Sequence, residues 1–123
     1  FLWTPAGDNA TIANYYPGNS FTDYVGFSLY DFPSDVDQVF YGGDRTFLGE
    51  FVRKMNLIIA ITNKPIIIPE MGIASVDKQT KFQLLYSLID EIKLNYPNLI
   101  KEIDFFNSNE TLAGYTNLDY SIY

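Results

Sequence analysis

"KPIIIPEMG", Lys64 to Gly72, is a short apolar, β-branched run that ends in a carboxylate. Runs of this kind, bounded by prolines, read as buried strands of a parallel sheet. Glutamate is almost never fully buried without a partner. A glutamate where such a strand ends therefore points to a rim or a site, and Glu70 is the first residue to follow.

On either side of this run the hydrophobic period lengthens from two to between three and four. Upstream, Phe47, Leu48, Phe51, Val52, Met55 and Ile59 mark an amphipathic helix reaching about Asn63, with Asp44 as its expected N-cap. Downstream, Asp77 is placed to cap a second helix whose stripe is Phe82, Leu85, Leu88, Ile89 and Ile92, ended by Asn95-Tyr96-Pro97. Further out lie two more strand-like runs, "YVGFSLY" from Tyr24 to Tyr30 and "IKEIDFFN" from Ile100 to Asn107. "FLWTP" reads as the tail of another strand, "NATIANYYPG" as a helical turn or two, and Pro33 to Gly43 as a loop. Residues beyond Asn107 are polar and aromatic without a clear period.

Alternating strands and helices imply right-handed crossovers and a parallel sheet, hence an α/β fold. Two architectures fit: a small doubly wound, flavodoxin-like sheet, or four units of an eight-stranded (β/α)₈ barrel. The first strand lies at the very start of the sequence, and an open sheet cut there would leave a long unpaired edge. The expectation is that residues 1–123 are a single domain, four units of a TIM barrel and a piece of a longer chain.

Fifteen acidic against eight basic residues give a net charge of −7, which disfavours nucleic acid and anionic membrane surfaces as partners. No run of about 18 apolar residues offers a membrane span. The chain has neither cysteine nor histidine. That removes thiolate chemistry, Ser–His pairs and the commonest metal ligand, so catalysis would fall to carboxylates, tyrosines and lysines. Aromatic residues make up 17% of the chain, used either as core or as flat platforms for planar or sugar-like ligands.

Each strand's C-terminal end holds a polar or aromatic cluster: Trp3-Thr4-Pro5 with Asp8, then Tyr30-Asp31, then Glu70, then Asp104 with Asn107. In α/β sheets ligands sit at that edge. Each member also has a plainer reading: Trp3 and Tyr30 as core, Asp8 as a turn residue, Asp104 as a structural acceptor, Glu70 as a salt-bridged loop residue.

With "FLWTPAGD" in front, the segments "YYPGNSFTDYVGFSLYDF", "KPIIIPEMG" and "EIDFFN" resemble the second half of a glycoside hydrolase family 26 enzyme, the β-mannanase group of retaining glycosidases. Trp3-Thr4-Pro5 matches the family's Trp-Ser-Pro at the end of strand five. Tyr15-Tyr16-Pro17-Gly18 and Tyr24-Val25-Gly26 match the stretch leading into strand six, and Phe106-Asn107 the end of strand eight. The resemblance implies that Glu70 is the nucleophile, that Tyr30 hydrogen-bonds and orients it, and that Trp3, Asp8, Asp31 and Asn107 contribute to substrate binding. It also implies a β-linked polysaccharide or oligosaccharide substrate, no cofactor or metal, and an extracellular or cell-envelope setting. Three features depart from the family. Its acid/base glutamate and neighbouring histidine would lie upstream of Phe1, and Glu50, Glu91, Glu102 and Glu110 do not replace them. Ser28-Leu29-Tyr30 stands where the family often has Asp-Gly-Tyr, and no tryptophan follows strand eight. This chain alone is accordingly expected to be inactive. The alternative is a non-catalytic carbohydrate-binding or structural derivative of the barrel.

Overall fold

The computed structural model describes residues 1–6, 10–74, 77–112 and 115–121. Four strands, β1 (Leu2–Trp3), β2 (Tyr24–Asp31), β3 (Ile66–Ile73) and β4 (Ile100–Phe105), form one sheet in that order, every pair parallel. Between β1 and β2 the chain makes two 3₁₀ turns, Ala10–Tyr15 and Asn19–Phe21. Between β2 and β3 lie α1 (Ser34–Tyr41) and α2 (Phe47–Ile59), and between β3 and β4 lies α3 (Lys78–Asn95). An antiparallel hairpin follows, β5 (Asn109–Leu112) and β6 (Tyr115–Asp119). The protein is thus α/β, its parallel strands alternating with helices. The strand order runs with the chain and has no reversal among these strands, unlike a doubly wound sheet.

One face of the sheet is covered by helices. Val25, Phe27 and Leu29 of β2 and Ile66, Ile68, Met71 and Ile73 of β3 are buried there against Phe47, Phe51, Met55 and Ile58 of α2 and Leu88 of α3. The buried positions of β3 step by two, then three, then two, because the strand carries one extra residue. Gly26 pairs with Ile67 and Ser28 with Glu70, so two steps on β2 match three on β3. The same excess recurs against β4, where Ile68 pairs with Ile103 and Met71 with Phe105. Pro69 sits inside this bulge, where a residue without an amide hydrogen is tolerated in a central strand. Gly26 belongs to the same irregularity: a Cβ there would lie 2.1 Å from the carbonyl oxygen of Ile67.

The helix boundaries differ from expectation in instructive ways. Thr46, not Asp44, caps α2, its hydroxyl accepting from the Gly49 amide at 3.1 Å. Asp44 lies before the first turn and its carboxylate is near Asp37 instead. Asp77 caps α3 as expected, accepting from the Thr80 amide at 3.0 Å. The stretch expected as a loop contains α1, anchored by buried Val36 and Asp37. In α3 the expected stripe is partly turned out: Phe82 and Ile89 are exposed, and Lys81 is buried. Among the described residues no helix is long and apolar enough to cross a membrane.

Candidate active site

The face of the sheet opposite α2 and α3 carries Glu70. Alternation along β2 sends Ser28 and Tyr30 to this open face, and the bulge of β3 brings Glu70 beside them. Glu70 is exposed, and its Oε2 accepts from the Tyr30 hydroxyl at 3.1 Å and from Ser28 Oγ at 3.4 Å. Ser28 is the cross-strand partner of Glu70, whereas Tyr30 faces Gly72 and reaches back diagonally. That reach needs a glycine. A Cβ on Gly72 would lie 3.0 Å from the Tyr30 ring and 2.7 Å from that of Tyr120. β3 continues through Gly72 to Ile73.

Tyr30 is half-buried in an aromatic nest of Phe32, Phe106 and Tyr120, with Tyr120 edge-on at 5.6 Å. Burial first, then the hydrogen bond to Glu70, raise its hydroxyl well above the ordinary phenol value. Tyr30 is therefore a neutral donor to Glu70 at any physiological pH.

Two clefts lie beside this pair. One, of about 110 Å³, is walled by Ser28, Tyr30, Asp37, Tyr41, Arg45 and Lys54. The other, of about 360 Å³, shares Ser28, Tyr41 and Lys54 and extends to Pro5 and Ala6. Glu70 lines neither. The charged groups around the smaller cleft are matched internally. Arg53 forks onto Glu50 at 2.8 and 3.0 Å, Arg45 reaches Glu50 at 3.4 Å and stacks on Tyr41, and Lys54 donates to the Ser28 carbonyl. Burial alone would raise Glu50, but the Arg53 guanidinium, with Arg45 and Lys54, reverses this and holds it below the usual carboxylate range.

The other expected site residues are dispersed. Trp3 pairs in register with Val25, so it points to the helix-covered face. It is 8% exposed and packs against Tyr16 at 4.9 Å, which leaves no ring face for a sugar; the platform expectation gives way to core packing. Asp31 alternates away from Tyr30 and is half-buried. Burial, then the charges of Asp37 and Asp44, raise its pKa to about 6. Asn107 is exposed just beyond β4, and Asp8 lies outside the described residues. The register puts Asp104 across from the Pro69–Glu70 step and on its face. Two residues that the sequence left without a site role belong to the arrangement. Ser28 is a second donor to Glu70, visible only through the strand register, and Tyr120 comes from a segment without a period. Among the described residues no group of three or more carboxylates is arranged to hold a metal ion.

No protein-family model matches the chain, and no curated protein matches it significantly.

Proposed function

We propose that this chain is the nucleophile-bearing half of a retaining glycosidase, strands five to eight of a (β/α)₈ barrel acting on a β-linked polysaccharide, with a mannan as the first substrate to try. The observation that carries the reading is the Glu70 carboxylate at the C-terminal part of a central parallel strand, exposed, with the hydroxyls of Tyr30 and Ser28 on one oxygen. Four parallel strands in chain order, with helices on a single face, support the barrel part of the reading.

In this reading Glu70 attacks the anomeric carbon while an acid on a preceding strand protonates the leaving oxygen; water then releases the glycosyl-enzyme. Among the described residues both hydrogen bonds fall on Oε2, which leaves Oε1 to make the covalent bond. Tyr30 fixes the carboxylate's rotamer so that this oxygen faces the substrate. The second carboxylate must stand about 5–5.5 Å from the first for retention, and the reading assigns it outside this chain.

The test uses the protein that carries this chain in full. Glu70→Gln should keep glycan binding and lose nearly all turnover, because an amide keeps the shape but forms no glycosyl ester. An activated 2-deoxy-2-fluoroglycoside should leave its mass on the peptide containing Glu70. Turnover unchanged in Glu70→Gln, or an adduct on another carboxylate, would overturn the assignment. Residues 1–123 alone should bind at most and hydrolyse nothing; hydrolysis by them, abolished by Asp104→Asn, would place both carboxylates within this chain. Glycan binding without turnover in the full protein would favour the non-catalytic derivative.

A further inference from the structure

Lys81, one turn into α3, is 2% exposed. A buried ammonium is costly unless its donors are met. Its Nζ donates to the carbonyl oxygens of Asp119 at 2.6 Å and Ser121 at 2.8 Å, the two residues flanking Tyr120. The Tyr120 amide is held as well, donating to the Ser108 carbonyl at 2.9 Å. The side chain so delivered is 5% exposed and occupies the space over Gly72 that a Cβ would fill. It meets Tyr30 at 5.6 Å and Phe106 at 5.4 Å, both edge-on. An apolar residue at position 81 would fill the same space without desolvating a charge. What the lysine adds is a grip on the backbone either side of one tyrosine.

We infer that Lys81 is a positioning residue for the Glu70 site: by clamping the Asp119–Ser121 backbone it seats Tyr120 over Gly72, and Tyr120 in turn fixes the ring of Tyr30 against Glu70. The inference rests on the reading of Glu70 and Tyr30 as the reactive pair. The chain of contact is continuous, from ammonium to carbonyls, to the Tyr120 ring, to the Tyr30 ring, to the carboxylate. Among the described residues the Lys81 ammonium donates to these two carbonyls, and it acts on the open face through this relay.

The experiment labels the full protein with 3-fluorotyrosine and assigns the Tyr30 fluorine resonance by its loss in Tyr30→Phe. Lys81→Met keeps length and apolar bulk but removes the donors. It should shift or broaden the Tyr30 resonance and lower kcat about 10- to 100-fold, with KM changed by no more than about twofold. Tyr120→Leu, which leaves the clamp intact, should do the same. Leu88→Ala, an equally buried change on α3, should cost stability and leave the resonance where it was. A folded Lys81→Met protein with an unmoved Tyr30 resonance overturns the inference. If Lys81→Met does not fold, Lys81→Gln, which is neutral and too short to hold both carbonyls, decides: a moved resonance supports the relay and an unmoved one overturns it. Absence of turnover in the unmodified protein would count against the glycosidase reading alone, because the fluorine readout needs no activity.

Discussion

Among the described residues Glu70 accepts two hydrogen bonds, both from hydroxyls of one neighbouring strand, and the two are unequal. The Tyr30 bond at 3.1 Å is the firmer, and the ring that makes it is fixed on several sides. Tyr30→Phe should therefore leave the fold intact and slow turnover by about 10- to 100-fold, less than Glu70→Gln, as steady-state kinetics of the full protein would reveal. Asp31 makes a prediction about pH. Its folded pKa of about 6 exceeds the unfolded value near 3.9, so between these the folded state binds more protons than the unfolded chain. Stability from this group declines as pH rises from about 4 to about 6, and the full penalty persists above that. Asp31→Asn should accordingly stabilise the protein by about 1–2 kcal/mol at pH 7.5 and change little at pH 4, in urea melts at the two values. At this scale the sequence was readable where a residue broke its local pattern, as Glu70 does at the end of an apolar run. Trp3 and Lys81 were unreadable for opposite reasons. A tryptophan near a strand end serves core and platform equally well, and a lysine in a helix is ordinarily solvated.

Among the elements, α2 and β3 show how much periodicity reveals. The four-residue steps from Phe47 to Phe51 to Met55 mark the buried face of α2, but Ile59, expected on the same stripe, is exposed and Ile58 is buried instead. The cap is missed by only two residues, because Thr46 and Asp44 are both capable acceptors. The strand core of "KPIIIPEMG" is equally plain. Its bulge is not, since a strand with an extra residue looks in sequence like one that stops at a proline. α1 was hidden because Pro33 and the acidic, aromatic residues after it resemble a loop, with Val36 its one fully buried apolar side chain. The β5–β6 hairpin was hidden because it has no apolar alternation to display. The β3 element carries its own prediction. Gly72→Ala would drive a methyl into the rings of Tyr120 and Tyr30, each within about 3 Å of the new atom. The expected cost is about 1–3 kcal/mol in chemical denaturation, with a loss of turnover larger than the residual stability explains.

At the scale of the whole molecule, the described sheet is dressed on one face and ends in two edges, β1 and β4. On α3, Phe82, Tyr86 and Ile89 are exposed and lie at helical spacing. Contiguous apolar surface of this kind promotes association. Replacing Phe82 and Ile89 together by Lys should reduce 8-anilinonaphthalene-1-sulfonate fluorescence and lower the sedimentation-average mass of the 123-residue chain at high concentration; unchanged values would show that this stripe is not the sticky surface. The order of the strands has a different consequence, one of timing. Each strand pairs with the one made just before it, so a chain emerging from the ribosome can lay down β1, β2, β3 and β4 in turn. The Tyr30–Glu70 contact becomes possible once β3 is out. Tyr120, whose ring braces that contact, is still unsynthesised, and at about 5–20 residues per second it follows several seconds later. During that interval the nascent protein holds its key carboxylate without its brace, and a ribosome paused after β4 has emerged but before Tyr120 is made would display an assembled sheet with Tyr30 unbraced.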